Sequence, residues 1–392
     1  MSNLSTASIT DRLSSLGAER WQVHFDARAR AQAGEDIIEL TIGEPDVPVS
    51  AHLIAKAHEA MLAGRTRYSG GRGEKVACEA IAAKYAKRTR RDITAANVLT
   101  LPGTQAALSF AMLALVEAGD DVLVPDPYYA TYEGTVRATG ANFVPVPMSA
   151  ENGFRLTPEQ VEAAITPNTK VLLLNFPHNP TGAVLTAEEI AAIGAVCAKH
   201  NLWIVSDEVY EQLVYGVPFA SAFDNPDLAE RTIAVSSISK SHAAPGFRSG
   251  WCVGPAWFTD AMQGVSESFL FGGQPFIADM TVEALTKPDD TAARMCEKYQ
   301  RRIGVLLDGL SGSNRVKPLV PKSGMFMLVD VAATGVSGAE FCRRLLDEKA
   351  VATMPGSSFG AQAHDYIRLS LTVEDEKLVQ AAKRIVELAE EI

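Results

Sequence analysis

The chain has 392 residues, 47% of them hydrophobic and 21% charged, an ordinary globular mixture long enough for about two domains. Its formal net charge of -11 argues against nucleic acid or an anionic membrane surface as a partner, while leaving room for a local basic pocket that takes a phosphate. No run approaches the roughly 18 apolar residues needed to cross a bilayer, and Met1–Thr10 lacks the basic start and apolar core of a secretory signal, so a cytoplasmic location is expected. The five cysteines, Cys78, Cys197, Cys252, Cys296 and Cys342, lie far apart without CxxC spacing or adjacent histidines; they are expected to be structural thiols, with no metal site.

Residues 1–36 read as a helical lead-in with an apolar face at Trp21, Val23, Phe25 and Ala29. A short strand over 37–43 then enters GEPDVP, where Pro45 and Pro48 forbid a helix. Helices are expected over 51–63 and 73–90, on either side of a glycine-rich linker. From Asn97 onward short apolar strands (NVLTLPG, DVLVPDP, ANFVPVP, KVLLLN, LWIVSDE, TIAVSSIS, RSGWCVG) are interleaved with helices from Thr104, from about Tyr129 and over 186–200. That pattern predicts an α/β architecture with a mainly parallel sheet flanked by helices, whose functional residues gather at the strands' carboxyl ends. Beyond about residue 285 a charged helix (288–310), SGMFMLVD, a helix (337–348), YIRLSL and a C-terminal helix predict a smaller α+β domain. The expected division is 1–45 joining the small domain, 46–285 as the large domain and 286–392 as the small one.

Six stretches carry candidate chemistry. In Pro102-Gly103-Thr104-Gln105 a strand passes into a helix, so glycine allows close backbone approach and the free amides favour an anion; an ordinary capped helix reads the same way. Tyr128 and Tyr129 follow a strand end, where an aromatic ring can stack on a flat cofactor or simply pack the core. Pro177 and Pro180 hold the segment 175–182 extended, aiming the Asn179 amide. Asp207 ends an apolar strand, costly unless paired with a cation or used as a cap. Arg368 sits on an apolar strand and calls for a carboxylate or phosphate, the protein's own or a ligand's. Lys240 follows TIAVSSIS, where burial lowers an amine's pKa and lets it condense with a carbonyl. Phosphate anchor, aromatic plate, amide donor, buried acid, amine and carboxylate clamp together match what pyridoxal 5'-phosphate and an amino-acid substrate require.

In these motifs, from GEPD at 43–46 to YIRLS at 366–370, the chain resembles the class I aminotransferases of the aspartate aminotransferase type, which use pyridoxal phosphate on the fold-type-I transferase scaffold. The resemblance implies that Lys240 bonds to the cofactor and moves the proton, that Ser237 and Arg248 bind its phosphate, and that Asp207 pairs with its ring nitrogen. By the same resemblance Tyr210 and Asn179 reach the ring oxygen, Tyr129 stacks on the ring, and Gly103, Thr104 and Gln105 lie at the phosphate. Tyr68 would reach the neighbouring subunit's cofactor, which implies a homodimer with shared active sites. Arg368, Asn179 and the backbone of Gly43 would hold the substrate carboxylate. The implied activity is a two-step transfer of an amino group from an L-amino acid to a 2-oxo acid, with aspartate and 2-oxoglutarate as the family default. RWQVHFDARARAQAGED, ENGFR and SKSHAAPGFRSGW are also similar to an arginine:pyruvate transaminase of that family. A carbon–sulfur lyase on the same fold, or a non-enzymatic cofactor-binding module, are the alternatives. Ser249 and Val47 depart from the family pattern, at places the resemblance usually fills with an aliphatic and an aromatic residue.

Overall fold

The computed structural model describes residues 4–14, 16 and 19–392; part of the expected lead-in, residues 1–3, 15, 17 and 18, lies outside that set. The lead-in contains the helices Ser8–Ser14 and Gln22–Gln32. Its buried face differs from the expected one: His24 and Ala27 are buried, whereas Phe25 is 53% exposed and Ala29 is also exposed. Trp21, Val23 and Phe25 alternate with the period of a strand, while a helix buries positions three to four apart. The expected strand at 37–43 is ladder-paired only at Ile38–Glu39 (β1), which runs parallel to Val351–Ala352. Leu40 to Gly43 continue as backbone outside any strand, and their carbonyl groups are used elsewhere.

The central sheet has seven strands: Val98–Leu101 (β2), Asp121–Asp126 (β3), Asn142–Pro147 (β4), Thr169–Asn175 (β5), Trp203–Asp207 (β6), Thr232–Ser237 (β7) and Gly250–Val253 (β8). Their order is β2-β8-β7-β6-β5-β3-β4. The pairs among β3 to β7 are parallel, and β8 is antiparallel to both its neighbours. Helices cover both faces, so β3 and β7 are buried at every residue and read as unbroken apolar runs rather than alternating ones. Capping boxes at Thr157/Gln160 and Thr186/Glu189 start two of the covering helices, Pro158–Ala164 and Ala187–Lys199. The first of these two helices has no counterpart in the sequence expectation, nor have Ala256–Leu270 and Pro275–Thr286. The last two are separated by Phe271 and Gly272 at positive φ, with Pro275 opening the second helix. The helix expected from about Tyr129 begins at Tyr132.

Lys317–Leu319 (β9), Phe326–Asp330 (β10), Met354–Pro355 (β12) and Tyr366–Ser370 (β13) form an antiparallel sheet in the order β12-β13-β10-β9, with Val351–Ala352 as β11. Against it pack Thr291–Leu310, Gly338–Lys349 and Asp375–Glu391. The last helix buries Leu378, Ala381, Ala382, Ile385, Leu388 and Ala389, the three-and-four spacing of one apolar stripe. Arg302, 2% exposed, ties this unit to the GEPD turn through Asp46 (Nη1 to Oδ2, 2.7 Å) and to the C-terminal helix through Asp375 (Nε to Oδ1, 3.0 Å). All five cysteines are free thiols.

Candidate active site

The parallel register sets Asn175 of β5 opposite Asp207 of β6, and Asp207 opposite Val235 of β7. Three strand ends therefore converge, and above them opens a cavity of about 470 Å³. Asp207 is buried on its floor. Its Oδ2 accepts from the Tyr132 hydroxyl at 2.7 Å and its Oδ1 from the Val209 amide at 3.2 Å, so the capping role and the buried-acid role coexist. Burial pushes this carboxyl up to about 6, opposed by those two hydrogen bonds. The Asn175 side chain donates to the Asp207 carbonyl at 3.3 Å and accepts from the Asn179 amide at 3.0 Å. Asn179 in turn donates to the Tyr210 hydroxyl at 3.4 Å. Burial raises the Tyr210 phenol well above its ordinary range, keeping it a neutral donor.

Lys240 does not continue β7. Its strand stops at Ser237, whose hydroxyl accepts from the Ser239 amide at 3.3 Å and starts the single helical turn Ile238–Ser241. That turn aims the lysine amine into the cavity, where it donates to the Gly43 carbonyl at 2.5 Å. Burial lowers the amine to about 8; Arg368 and Arg248 push the same way, against the opposing charge of Glu44. A neutral amine is thus accessible near neutral pH, the state needed for attack on a carbonyl or for taking a proton.

One corner of the cavity is built only of donors. Gly103, at φ 89°, caps the helix Thr104–Leu115, whose first-turn amides point outward. The Thr104 hydroxyl donates to Ser237 Oγ at 2.9 Å, and Arg248 is held by the carbonyls of Pro245 (2.8 Å) and Pro102 (3.1 Å), with no carboxylate partner among the described residues. A side chain at position 103 would meet Arg248 Nη2 at 2.2 Å, so glycine is what brings guanidinium and helix end together. Amides, hydroxyls and a guanidinium without an acid make an anion site.

Opposite lies Arg368, 1% exposed. Its guanidinium lies 3.9 Å from the Phe326 ring centroid and 4.3 Å from that of Phe359. It donates to the Thr41 carbonyl at 2.7 Å and to Asn179 Oδ1 at 3.1 Å, while its buried Nε has no partner. Burial lowers it to about 10. Among the described residues no carboxylate is bonded to it, although a buried guanidinium ordinarily has one.

Of the residues singled out from sequence, Gly43, Thr104, Gln105, Tyr129, Asn179, Asp207, Tyr210, Ser237, Lys240, Arg248 and Arg368 line this one cavity. Gly103 stands behind it, against Arg248. Tyr68 is not in the lining; it is 86% exposed, edge-on to Phe271 at 5.3 Å. Sequence reasoning missed Tyr132, Asn175, Glu44, Trp21 and Phe326, all of which line the cavity. Asn175 ends an apolar run just as Asp207 does, a signal that was there to be read; Trp21 and Glu44 arrive from the amino-terminal segment with no such mark. Modification of the cofactor-free protein by an amine-selective reagent, followed at the Lys240 peptide by mass spectrometry, is expected to show a pH midpoint of about 8, below the roughly 10.4 of an ordinary lysine. An ordinary midpoint there would contradict the geometry.

The family described as Aminotransferase class I and II matches residues 35–385. The chain is 39% identical over 383 residues to an arginine–pyruvate transaminase of Pseudomonas aeruginosa, with 98% of each chain covered. It is 35% identical over 372 residues to an aspartate aminotransferase of Geobacillus stearothermophilus, covering 92% of this chain and 93% of that one. Among solved structures, an aspartate aminotransferase of Thermus thermophilus with maleate superposes with a TM-score of 0.92 at 31% identity, covering 99% of this chain and 100% of that one. The chain therefore belongs to the class I and II aminotransferases and is an aminotransferase of the aspartate aminotransferase type.

Proposed function

We propose that the cavity binds pyridoxal 5'-phosphate and transfers the α-amino group of a basic L-amino acid, arginine by preference, to a small 2-oxo acid such as pyruvate. The observation that carries this reading is the set of unmatched charges in one cavity: an anion corner at Thr104, Ser237 and Arg248, a buried acid at Asp207, an amine at Lys240 and a buried guanidinium with a free Nε at Arg368. Those residues fit a phosphate, a basic ring nitrogen, an aldehyde and a substrate carboxylate in turn. Bound there, the cofactor supplies an aldehyde that accepts the amino group and a conjugated ring that takes up the electron pair left when the α-carbon loses its proton.

The chain's own groups do the rest. The donor corner, with Gly103 behind it and Gln105 on its wall, holds the phosphate. Asp207, kept in place by Tyr132, keeps the ring nitrogen protonated; a cation at that point reverses the burial effect and returns the acid to its ionised form. Tyr210 and Asn179 donate to the ring oxygen, and Tyr129 lies along the ring face. Arg368 binds the α-carboxylate, assisted by Asn179 and by the backbone at Gly43, and fixes which face of the substrate meets Lys240. The Lys240 amine would take the substrate's α-proton, a transfer that needs a base near neutral pH.

The preference for a basic donor rests on what remains in the cavity. Lys240, Arg248 and Arg368 all have assigned tasks, and Asp207 is committed to the floor, which among the described lining residues leaves Glu44 as the acid free to meet a substrate side chain, with Trp21 as an aromatic neighbour. The name of the Pseudomonas relative agrees with that choice. For the assembly, the support is an exposed aromatic patch of Tyr68, Phe269 and Phe271, which a second copy would cover, bringing Tyr68 to its partner's phosphate. The boundaries at 45/46 and 285/286 are likewise proposed, since the helix Pro275–Thr286 ends and Thr291–Leu310 begins there while β1 pairs with β11. A cytoplasmic location belongs to the same reading. Among the described residues no helix is long and apolar enough to cross a membrane.

Two experiments test this. In a panel of donors assayed with pyruvate, arginine is expected to give the highest kcat/KM. Glu44→Gln is expected to raise the KM for arginine about tenfold, the low end of a charge-assisted hydrogen bond, and to leave the KM for pyruvate within about twofold. A wild type that prefers aspartate, or a variant with an unchanged arginine KM, would contradict the substrate reading; ammonia release without an acceptor would make it a lyase. For the shared site, Tyr68→Ala and Arg368→Ala proteins are each expected to be nearly inactive and to regain activity when mixed and allowed to exchange subunits, because one of the two hybrid sites then carries neither change. Mixing without recovery would count against it.

A further inference from the structure

A second charged cluster lies outside the cavity, on the far side of the segment that carries Asp207 and Tyr210. After β6 the chain turns tightly, with the Glu211 amide donating to the Glu208 carbonyl at 2.9 Å and the Leu213 amide to the Tyr210 carbonyl at 2.8 Å. This turn sorts its side chains by side: Asp207 and Tyr210 line the cavity, whereas Glu208 and Glu211 face the helix Lys75–Thr89. Glu208 is fully buried and Glu211 nearly so.

Arg88 on that helix meets both of them and a third acid. Its Nη2 lies 2.9 Å from Glu208 Oε2, its Nη1 2.7 Å from Glu211 Oε2 and its Nε 2.9 Å from Asp224 Oδ1. Lys84, one helical turn earlier on the same face, pairs with the other oxygen of Glu211, and Ser221 donates to Glu208. The Arg88 guanidinium is also 4.5 Å from the centroid of the buried Tyr85 ring. A flat guanidinium can serve three carboxylates on three edges at once; a lysine ammonium in its place cannot reproduce that geometry.

We propose that Arg88, which lines no part of the cavity, is a positioning residue for the reaction: by bonding Glu208, Glu211 and Asp224 together it fixes the turn at 207–211, and with it the placement of Asp207 and Tyr210 against the bound cofactor ring. This rests on the roles given to Asp207 and Tyr210 above. Arg368 and Glu44 are not bonded to the cluster, so its effect falls on the chemical step and on cofactor affinity and spares substrate binding.

The test is Arg88→Lys, which keeps one positive charge and loses the three-edged grip. Expected are a kcat about tenfold lower, a pyridoxal phosphate Kd about tenfold higher and an arginine KM within about twofold of wild type. A purely structural role would lower the melting temperature and leave kcat and Kd at wild-type values, and that result overturns the inference while leaving the cofactor reading intact. If Arg88→Lys does not fold, Glu208→Gln, which preserves shape and two of the three contacts, is expected to change kcat and Kd in the same direction by about threefold, and unchanged values overturn the inference. A wild type that binds no pyridoxal phosphate removes both the inference and the reading beneath it.

Discussion

A guanidinium taken out of water without a counter-ion costs several kcal/mol, even after the surroundings relax. Arg368 is in that position, and much of the molecule is arranged to tolerate it. Two aromatic rings cover its faces, a contact that contributes up to about 2 kcal/mol when water is excluded, and two oxygens from different parts of the chain accept its hydrogen bonds. Its donors come from β13, one acceptor from the loop after β5 and the other from the segment after β1. The carboxy-terminal sheet, the central sheet and the amino-terminal segment thus meet at one charge. Among the described residues none supplies an oxygen to its buried Nε.

The same logic runs through the rest of the cavity. Burial pushes Lys240 down and Asp207 up, so each is driven toward its neutral form until a ligand brings the complementary charge. Each is bonded to a neutral partner, the Gly43 carbonyl for the amine and the Tyr132 hydroxyl for the acid. A cofactor with an aldehyde, a basic ring nitrogen and a phosphate answers these groups one by one. Behind the floor, the opposite arrangement prevails: Glu208, Glu211 and Asp224 are matched directly by Arg88 and Lys84. The charges behind the floor are paired with one another, whereas Lys240, Asp207 and Arg368 in the cavity are bonded only to neutral groups.

Much of this was legible in the sequence because a charged or amide side chain at the end of an apolar strand is a conflict visible in one dimension. Asp207 and Lys240 stand out in that way, Arg368 as a charge within an apolar strand, and Asn179 through the prolines that hold its segment extended. The seven central strands were legible for a related reason, since a sheet covered on both faces needs continuous apolar runs. Tyr132, Trp21 and Glu44 carried no such conflict; a tyrosine in a helix or a glutamate beside a proline is ordinary until the fold turns it toward the cavity. The helix Pro158–Ala164 is too short to show a helical repeat, whereas Ala256–Leu270 (Phe258, Met262, Val265, Phe269) and Pro275–Thr286 (Ile277, Met280, Ala284) carry a three-and-four apolar spacing that was there to be read; in the lead-in, the every-second-residue repeat of Trp21, Val23 and Phe25 does not mark the buried face of a helix. The Arg88 cluster could not be seen at all, since Arg88 lies more than 100 residues in sequence from each of its three acids.

Whether Lys240 is the amine that engages the cofactor is read most directly by chemistry. Protein incubated with pyridoxal 5'-phosphate is reduced with borohydride, which fixes the covalent bond between amine and cofactor, and is then digested and mapped by mass spectrometry. A single cofactor-sized mass increase is expected on the peptide that contains Lys240, and none in Lys240→Ala. An adduct on a different lysine, or none, would contradict it.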